Sequence, residues 1–290
     1  FEIGNDLHWA NKTANVSVPI SFKRTPTLRL TFGQSGNVYG QTAQSSTLSM
    51  SVSSSFRIPI GKTFRLRLPV ALSAIFDDVE TYRVPTGETN DIHGWALTPT
   101  LNPGFEIHSH NQRFYLRAGA GAALKGLYYN KLNYTKPVLN PSVSMSYTFS
   151  ANSKVELSTG YTTNIGDMMT LLTEPMQTSY RTVRTSSGII GESNTWRASG
   201  DWKWQLPMQY FTLHLSAGHS SGKRNTLYSQ SISGIDVSST ALLRDTRSES
   251  TSLSITSTKN FPSLYANLSA GASYGFGGGE QAIDEDIIKT

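Results

Sequence analysis

The chain has 290 residues, 37% hydrophobic and 16% charged, against roughly 45–50% and 25% in ordinary soluble domains, yet it carries 13 Tyr, 12 Phe and 5 Trp. Aromatics in regular alternation exclude a disordered chain, and the lack of Cys excludes disulfide scaffolds and thiolate metal sites. A net charge of +5 spread through strand-like segments, without a clustered basic stripe, argues against a nucleic-acid partner.

Apolar and polar residues alternate with period two from end to end, the signature of strands with one apolar and one polar face. Val16, Val18, Ile20 and Phe22 oppose Ser17, Ser21 and Lys23, and Leu28, Leu30 and Phe32 oppose Arg29 and Thr31. Leu48, Met50, Val52, Phe56 and Ile58 alternate with serines and Arg57; Phe64, Leu66, Leu68, Val70 and Leu72 then alternate with Arg65 and Arg67. Trp95, Leu97 and Leu101 follow, and after them Phe114, Leu116, Ala118, Ala120 and Ala122. Val143, Met145, Tyr147 and Phe149 and then Val155, Leu157 and Tyr161 predict two strands joined by the turn SANSK. Trp196, Ala198, Trp202 and Trp204 lead to Phe211, Leu213, Leu215 and Ala217, and the chain closes with Leu253 and Ile255, then Leu264 to Phe276. The count is about twelve strands, most near the roughly 9–11 residues that cross a bilayer at a tilt. No apolar run is long enough for a transmembrane helix, and Phe1 does not open a signal peptide, so the chain reads as mature, trimmed or a fragment.

The joints alternate between short and long. KRTP, IGKT, HSHNQR, SANSK, LPMQ and TKNFPS are tight; Gly33 to Ser46, Asp77 to Asp91, Gly126 to Val138, Asn164 to Thr195 and Ser220 to Glu249 are long. Structureless loops beyond about 12–15 residues are uncommon in compact soluble domains, whereas outer-membrane barrels pair short periplasmic turns with long extracellular loops. Aromatics near both strand ends fit two interfacial girdles. Pro19, Pro59, Pro69 and Pro99 predict bulges or strand ends. The expected fold is all-β, a transmembrane antiparallel up-and-down β-barrel occupying residues 1–290 as one domain or a barrel fragment.

WALTPTLNPGFE, RFYLRAGAGAAL, the stretch LNPSVSMSYTFSANSKVELSTGYTTNIGDMMTLL and YRTVRTSSGII resemble the barrel portion of TonB-dependent receptor-like outer-membrane proteins over about His93 to Asn225. That resemblance implies a barrel of about 22 strands filled by an N-terminal plug, an energy-coupling protein of the TonB type, and uptake of a bulky nutrient, with a surface lipoprotein as a further partner. The chain departs from the family in showing no plug domain, no energy-coupling box near Phe1 and no terminal aromatic after IDEDIIKT. It is expected to be an integral protein of the cell outer membrane, in contact with outer-membrane lipid, without a cofactor and not an enzyme. The rivals are a passive porin of about twelve to fourteen strands and a soluble β-sandwich or adhesin.

Two groups of residues are expected to carry function. Arg57, Arg65, Arg67, Arg113 and Arg117 share the polar face near tight turns, where they would form a lumen basic cluster that pairs with acidic groups of a plug or lines a path for anionic solutes. Met168, Met169, Tyr180 and Arg181 stand in the longest loop, which either contacts ligand or partner or folds over its own barrel mouth. Other constellations are weaker. His214 has no acid placed by sequence to orient it, and Glu106, His108 and His110 lack a fourth metal ligand. Asp77, Asp78 and Glu80, like Glu280, Asp284, Glu285 and Asp286, read as solvated acids, and GFGGGE lacks the lysine and helix of a phosphate loop.

Overall fold

In the computed structural model the described residues are all but 1, 11–13, 35–36, 85, 131, 167–170, 172, 180–181, 187, 234–235, 284–285 and 290; the side chains of 2–10, 14, 26–34, 37–39, 84, 178–179, 233 and 236 also lie outside the description. Alternation of branched and aromatic residues with Ser and Thr suits a pleated sheet with two different faces, and sixteen strands join in one sheet. In chain order these are β1 (Glu2–Ala10), β2 (Ala14–Gln34), β3 (Asn37–Ile60), β4 (Phe64–Val84), β5 (Thr89–Leu101), β6 (Gly104–His108), β7 (Phe114–Tyr129) and β8 (Leu132–Ser150). They continue with β9 (Ser153–Ile165), β10 (Met176–Ser179), β11 (Thr182–Ser186), β12 (Glu192–Leu206), β13 (Phe211–Ser233), β14 (Asp236–Phe261), β15 (Ala266–Ile283) and β16 (Asp286–Lys289). Sequence neighbours pair antiparallel along the whole meander, with β5 and β6 sharing one place in it and β9 pairing directly with β12. Among the described residues no pairing joins β1 to β15, the two flanks of the sheet.

The tight ends fall where expected at 61–63, 109–113, 151–152, 207–210 and 262–265. The last two are built alike, a single 3₁₀ turn opened by proline (Pro207, Pro262) and closed by a tyrosine in the left-handed region, Tyr210 at φ 50° and Tyr265 at φ 48°. KRTP is a correction. β2 runs through it, and its register against β3 slips between Thr25 and Leu28, so Pro26 marks a bulge instead of a turn.

A second correction concerns the long joints. Four of the five are continuations of their strands, which is why β2, β3, β4, β13 and β14 reach 21 to 26 residues. The strand count exceeds twelve because β1, β6, β10, β11 and β16 add to the expected strands. Register runs unbroken from Ile60↔Phe64 up to Gly40↔Val84, far beyond any bilayer. Outside lipid the outer face of a ladder meets water, so the apolar alternation fades while the backbone pairing persists. Only the joint between β9 and β12 departs from a simple hairpin.

The apolar face is turned outward. Val52, Leu139, Phe149, Leu157, Leu253, Leu268 and Phe276 are each 44–62% exposed. A soluble sheet would bury such a face; a continuous apolar exterior is what an outer-membrane barrel presents. Aromatic pairs mark its two borders. Trp95 stacks on Tyr128 with ring centroids 4.1 Å apart at the long-loop border, and Trp204 meets Phe211 edge-on at 6.1 Å near the tight turns. Along β12, Trp196 and Trp204 are eight residues apart, or about 27 Å of strand at ~3.4 Å per residue, close to the apolar band of such barrels. On the opposite face serines bridge neighbouring strands, Ser21 to Ser49 at 2.5 Å, Ser158 to Ser199 at 2.7 Å and Ser216 to Ser254 at 2.6 Å.

Candidate functional site

The inner face near the tight turns holds the basic cluster. Register sets Arg57 directly opposite Arg67, and places Arg65, Glu106 and Arg117 in one cross-strand row over β4, β6 and β7. Glu106, nearly buried, takes a 2.9 Å hydrogen bond from Arg67 Nη1. One carboxylate therefore faces four guanidinium groups, and a net positive wall results. Arg67 and Arg117 also line a niche of about 340 Å³ together with Asn102, Asn140 and Ser142. Asn102 fits there because Gly121 has no side chain; a Cβ on Gly121 would sit 2.3 Å from Asn102 Oδ1. Arg113 stands apart, in the turn before β7.

Other sequence candidates resolve differently. Glu106, His108 and His110 do not converge on a cation: Glu106 is held by Arg67, His108 Nε2 lies 4.0 Å from Glu106, and His110 is at an exposed turn. His214 does have an acid, since Asp201 from β12 lies 3.1 Å from its Nε2. Ser216 bonds Ser254 instead of completing a triad. Asp77 is no solvated loop acid either, because it accepts hydrogen bonds from Thr47 at 2.8 Å and from the Tyr129 hydroxyl at 2.9 Å. Asp78, on the other face, meets His93 across the β4–β5 pair, and the His93 ring lies between Asp78 at 2.7 Å and Asp91 at 2.5 Å. Sequence spacing could not show this, since the three residues come together only through the register.

Toward the long-joint end, the inner face carries packing that sequence reading missed. Ala96 opposite Leu127, Gly94 opposite Tyr129 and Ala123 opposite Val138 all lie on the same alternation as Arg117; Ala96, Leu127, Tyr129 and Val138 form a buried apolar cluster with Ile92 and Ile165, and Ala123 packs against it. Leu171, Met176 and Ile190 from the joint between β9 and β12 pack against it. The joint continues into β10 and β11, and β11 adds in parallel to β14 at Thr182↔Val237 through Ser186↔Ala241. That pairing is available because the β13–β14 ladder exchanges neighbours above its bulge at Arg224/Thr226. Below the bulge β12 lines β13 and β15 lines β14; above it β15 touches β13 at Ser229 and Gln230, and β11 takes β14. Arg184 seals the junction, with its guanidinium over the Tyr228 ring at 4.6 Å and a 2.5 Å bond to the Tyr228 hydroxyl. Near the same mouth Glu192 is contacted by Tyr134 and Lys136, and burial pushes its carboxyl above the usual range. Met168, Met169, Tyr180 and Arg181 lie outside the described residues.

No family model and no curated protein matches the chain. Solved structures do. The copper transporter OprC superposes with a TM-score of 0.65 at 12% identity, over 99% of this chain and 47% of its own. The unliganded ferric citrate transporter FecA gives 0.63 at 11%, covering 96% and 42%, and the ferric yersiniabactin uptake receptor FyuA from Yersinia pestis gives 0.56 at 8%, covering 94% and 44%. The fold is that of a TonB-dependent outer-membrane receptor barrel. The chain spans less than half the length of these receptors, and it is their barrel portion that it matches. Its apolar exterior and polar inner face are those of an outer-membrane barrel fold, and its structural neighbours are transporters and receptors.

Proposed function

We propose that this chain is barrel wall from a plugged outer-membrane transporter that takes up a bulky nutrient with energy delivered by a TonB-type coupling protein. The observation that carries the reading is the receptor-barrel fold with its 44–62% exposed apolar exterior around a polar, arginine-lined interior. In this reading Arg57, Arg65, Arg67, Arg113 and Arg117 meet acidic groups of the plug or of an anionic solute, because Glu106 alone does not neutralise them. The joint to which Met168, Met169, Tyr180 and Arg181 belong in sequence connects β9 to β12 at the long-joint end, where in this reading solute or a surface lipoprotein would first make contact. Plug and coupling protein are inferred from the fold, and so is the completion of the sheet beyond β1 and β15.

Uptake in cells with and without the coupling protein tests the proposal. Candidate nutrients would be supplied singly to cells expressing the full-length protein, and accumulation should depend on both the protein and the coupling machinery. Accumulation that persists without the coupling machinery would overturn the reading in favour of a passive porin.

A further inference from the structure

Buried polar side chains must find partners, and at the mouth of the lumen three amides find theirs in the backbone of one joint. Gln41 on β3 and Asn90 on β5 are 4% and 5% exposed. Gln41 accepts from the Gln177 N–H through Oε1 at 2.7 Å and donates through Nε2 to the Gln177 carbonyl at 3.2 Å. Asn90 does the same with Glu174, accepting from its N–H at 2.9 Å and donating to its carbonyl at 3.1 Å, while Thr81 accepts a further bond from Asn90 Nδ2 at 3.0 Å. A carboxamide presents one donor and one acceptor in a plane, so each of these side chains imitates the edge of a neighbouring strand. Where the joint returns to the barrel, the bulge in β13 turns Asn225 to the same task, accepting from Glu192 N–H at 2.7 Å and donating to the Ile190 carbonyl at 3.0 Å.

We propose that Gln41 and Asn90 are a two-point latch that holds residues 173–177 across the lumen mouth and thereby sets the size of solute that can enter. The two grips are three residues apart on the held segment and come from two different strands of the wall. Between them Met176 packs on the apolar cluster. Asn225 anchors the far end, and residues 176 and 177 stay paired with β11, itself on β14, so when the two grips open the segment moves on that hairpin without losing its root. The consequence for entry rests on the transport reading above; the latch itself rests on the hydrogen bonds alone.

Hydrogen exchange followed by mass spectrometry on the full-length protein in detergent or native membrane tests the latch without cargo or coupling protein. The amides of Glu174 and Gln177 should exchange far more slowly than that of Met208, which lies in a tight turn and is 95% exposed. Gln41→Leu should speed exchange at 177, and Asn90→Leu at 174, by about tenfold each, with the strand amides of β7 and β8 unchanged. Exchange at 174 and 177 as fast as at Met208 in the wild type would overturn the latch, a result readable even if the leucine variants fail to assemble. For the size claim, Ser158→Cys, an exposed inner-face position outside the apolar cluster, would be labelled in intact cells with a small maleimide and with a polymer-linked one. Adding Gln41→Leu and Asn90→Leu together should raise the polymer rate relative to the small reagent by up to about a hundredfold, about tenfold for each of the two bond pairs lost. An unchanged ratio would refute size selection while leaving the latch standing, and loss of coupled uptake as a reading would leave the exchange result untouched.

Discussion

Leu157 and Ser158 are adjacent residues of β9 on opposite faces, which makes them a direct test of which side meets lipid. Leu157 is 44% exposed and pairs across with Met145 and Gly200 on the apolar face; it lies four residues from Ser153 at the tight turn and four from Tyr161 at the opposite border. At ~3.4 Å per residue that is about 14 Å of strand to either end, or roughly 10 Å of depth at a tilt near 40°, close to the membrane midplane. Leu157→Arg should cost about 2–4 kcal/mol. Ser158→Arg faces a wet lumen and forfeits only the 2.7 Å bond to Ser199, about 1 kcal/mol. The assay is urea-induced unfolding of the protein folded into lipid vesicles, with tryptophan emission and heat-dependent gel mobility as readouts. Equal destabilisation by the two variants, or a larger cost for Ser158→Arg, would refute the assignment of the faces and with it the barrel reading.

Other substitutions probe the packing. Gly94→Ala would place a Cβ 2.3 Å from Tyr129 Cδ1 and 2.5 Å from the Tyr128 carbonyl, so it should destabilise the protein by about 1–3 kcal/mol, measured by the same unfolding assay. Glu106→Gln removes the carboxylate between Arg67 and Arg117 and should cost about 2 kcal/mol; a second change, Arg67→Met, should recover much of it, since the lone buried charge is then gone. Trp95→Ala deletes a stacked aromatic pair at the lipid border and should cost about 1–2 kcal/mol, while the same change at the turn residue Met208 should be neutral.

The period-two pattern made the membrane-spanning part of the fold legible. Val143, Tyr147, Phe149 and Leu157 are exposed on one face, as an apolar stripe touching lipid requires, and SANSK is a tight turn between β8 and β9. KRTP misled because basic residues beside a proline signal a turn, yet β2 continues through it against β3, and Pro26, past the last pair with β1 at Glu2↔Lys23, is accommodated by a register slip. Beyond the borders the signal failed for a physical reason. Segments such as 77–91 keep strand propensity and pairing, but the apolar contacts they make, such as that of Val79, come from the distant joint between β9 and β12, so no apolar alternation announces them.

The mouth was hidden for a different reason. Its decisive contacts join residues 136 positions apart, Gln41 with Gln177, and 84 apart, Asn90 with Glu174, and each uses the backbone of the second residue, which carries no sequence signature at all. The only sign in the sequence is a pair of amides in strand-like stretches, and a Ser/Thr/Asn-rich lumen supplies many of those. What singles out Gln41 and Asn90 is burial, and burial here is created by the joint itself when Leu171, Met176 and Ile190 settle on the inner face of β4, β5, β7 and β8. The apolar cluster and the amide grips therefore depend on each other. Weakening the cluster should loosen the grips, and Met176→Ser ought to accelerate exchange at Glu174 and Gln177 in the same direction as removing the amides, whereas Leu139→Ser on the lipid face should leave both unchanged.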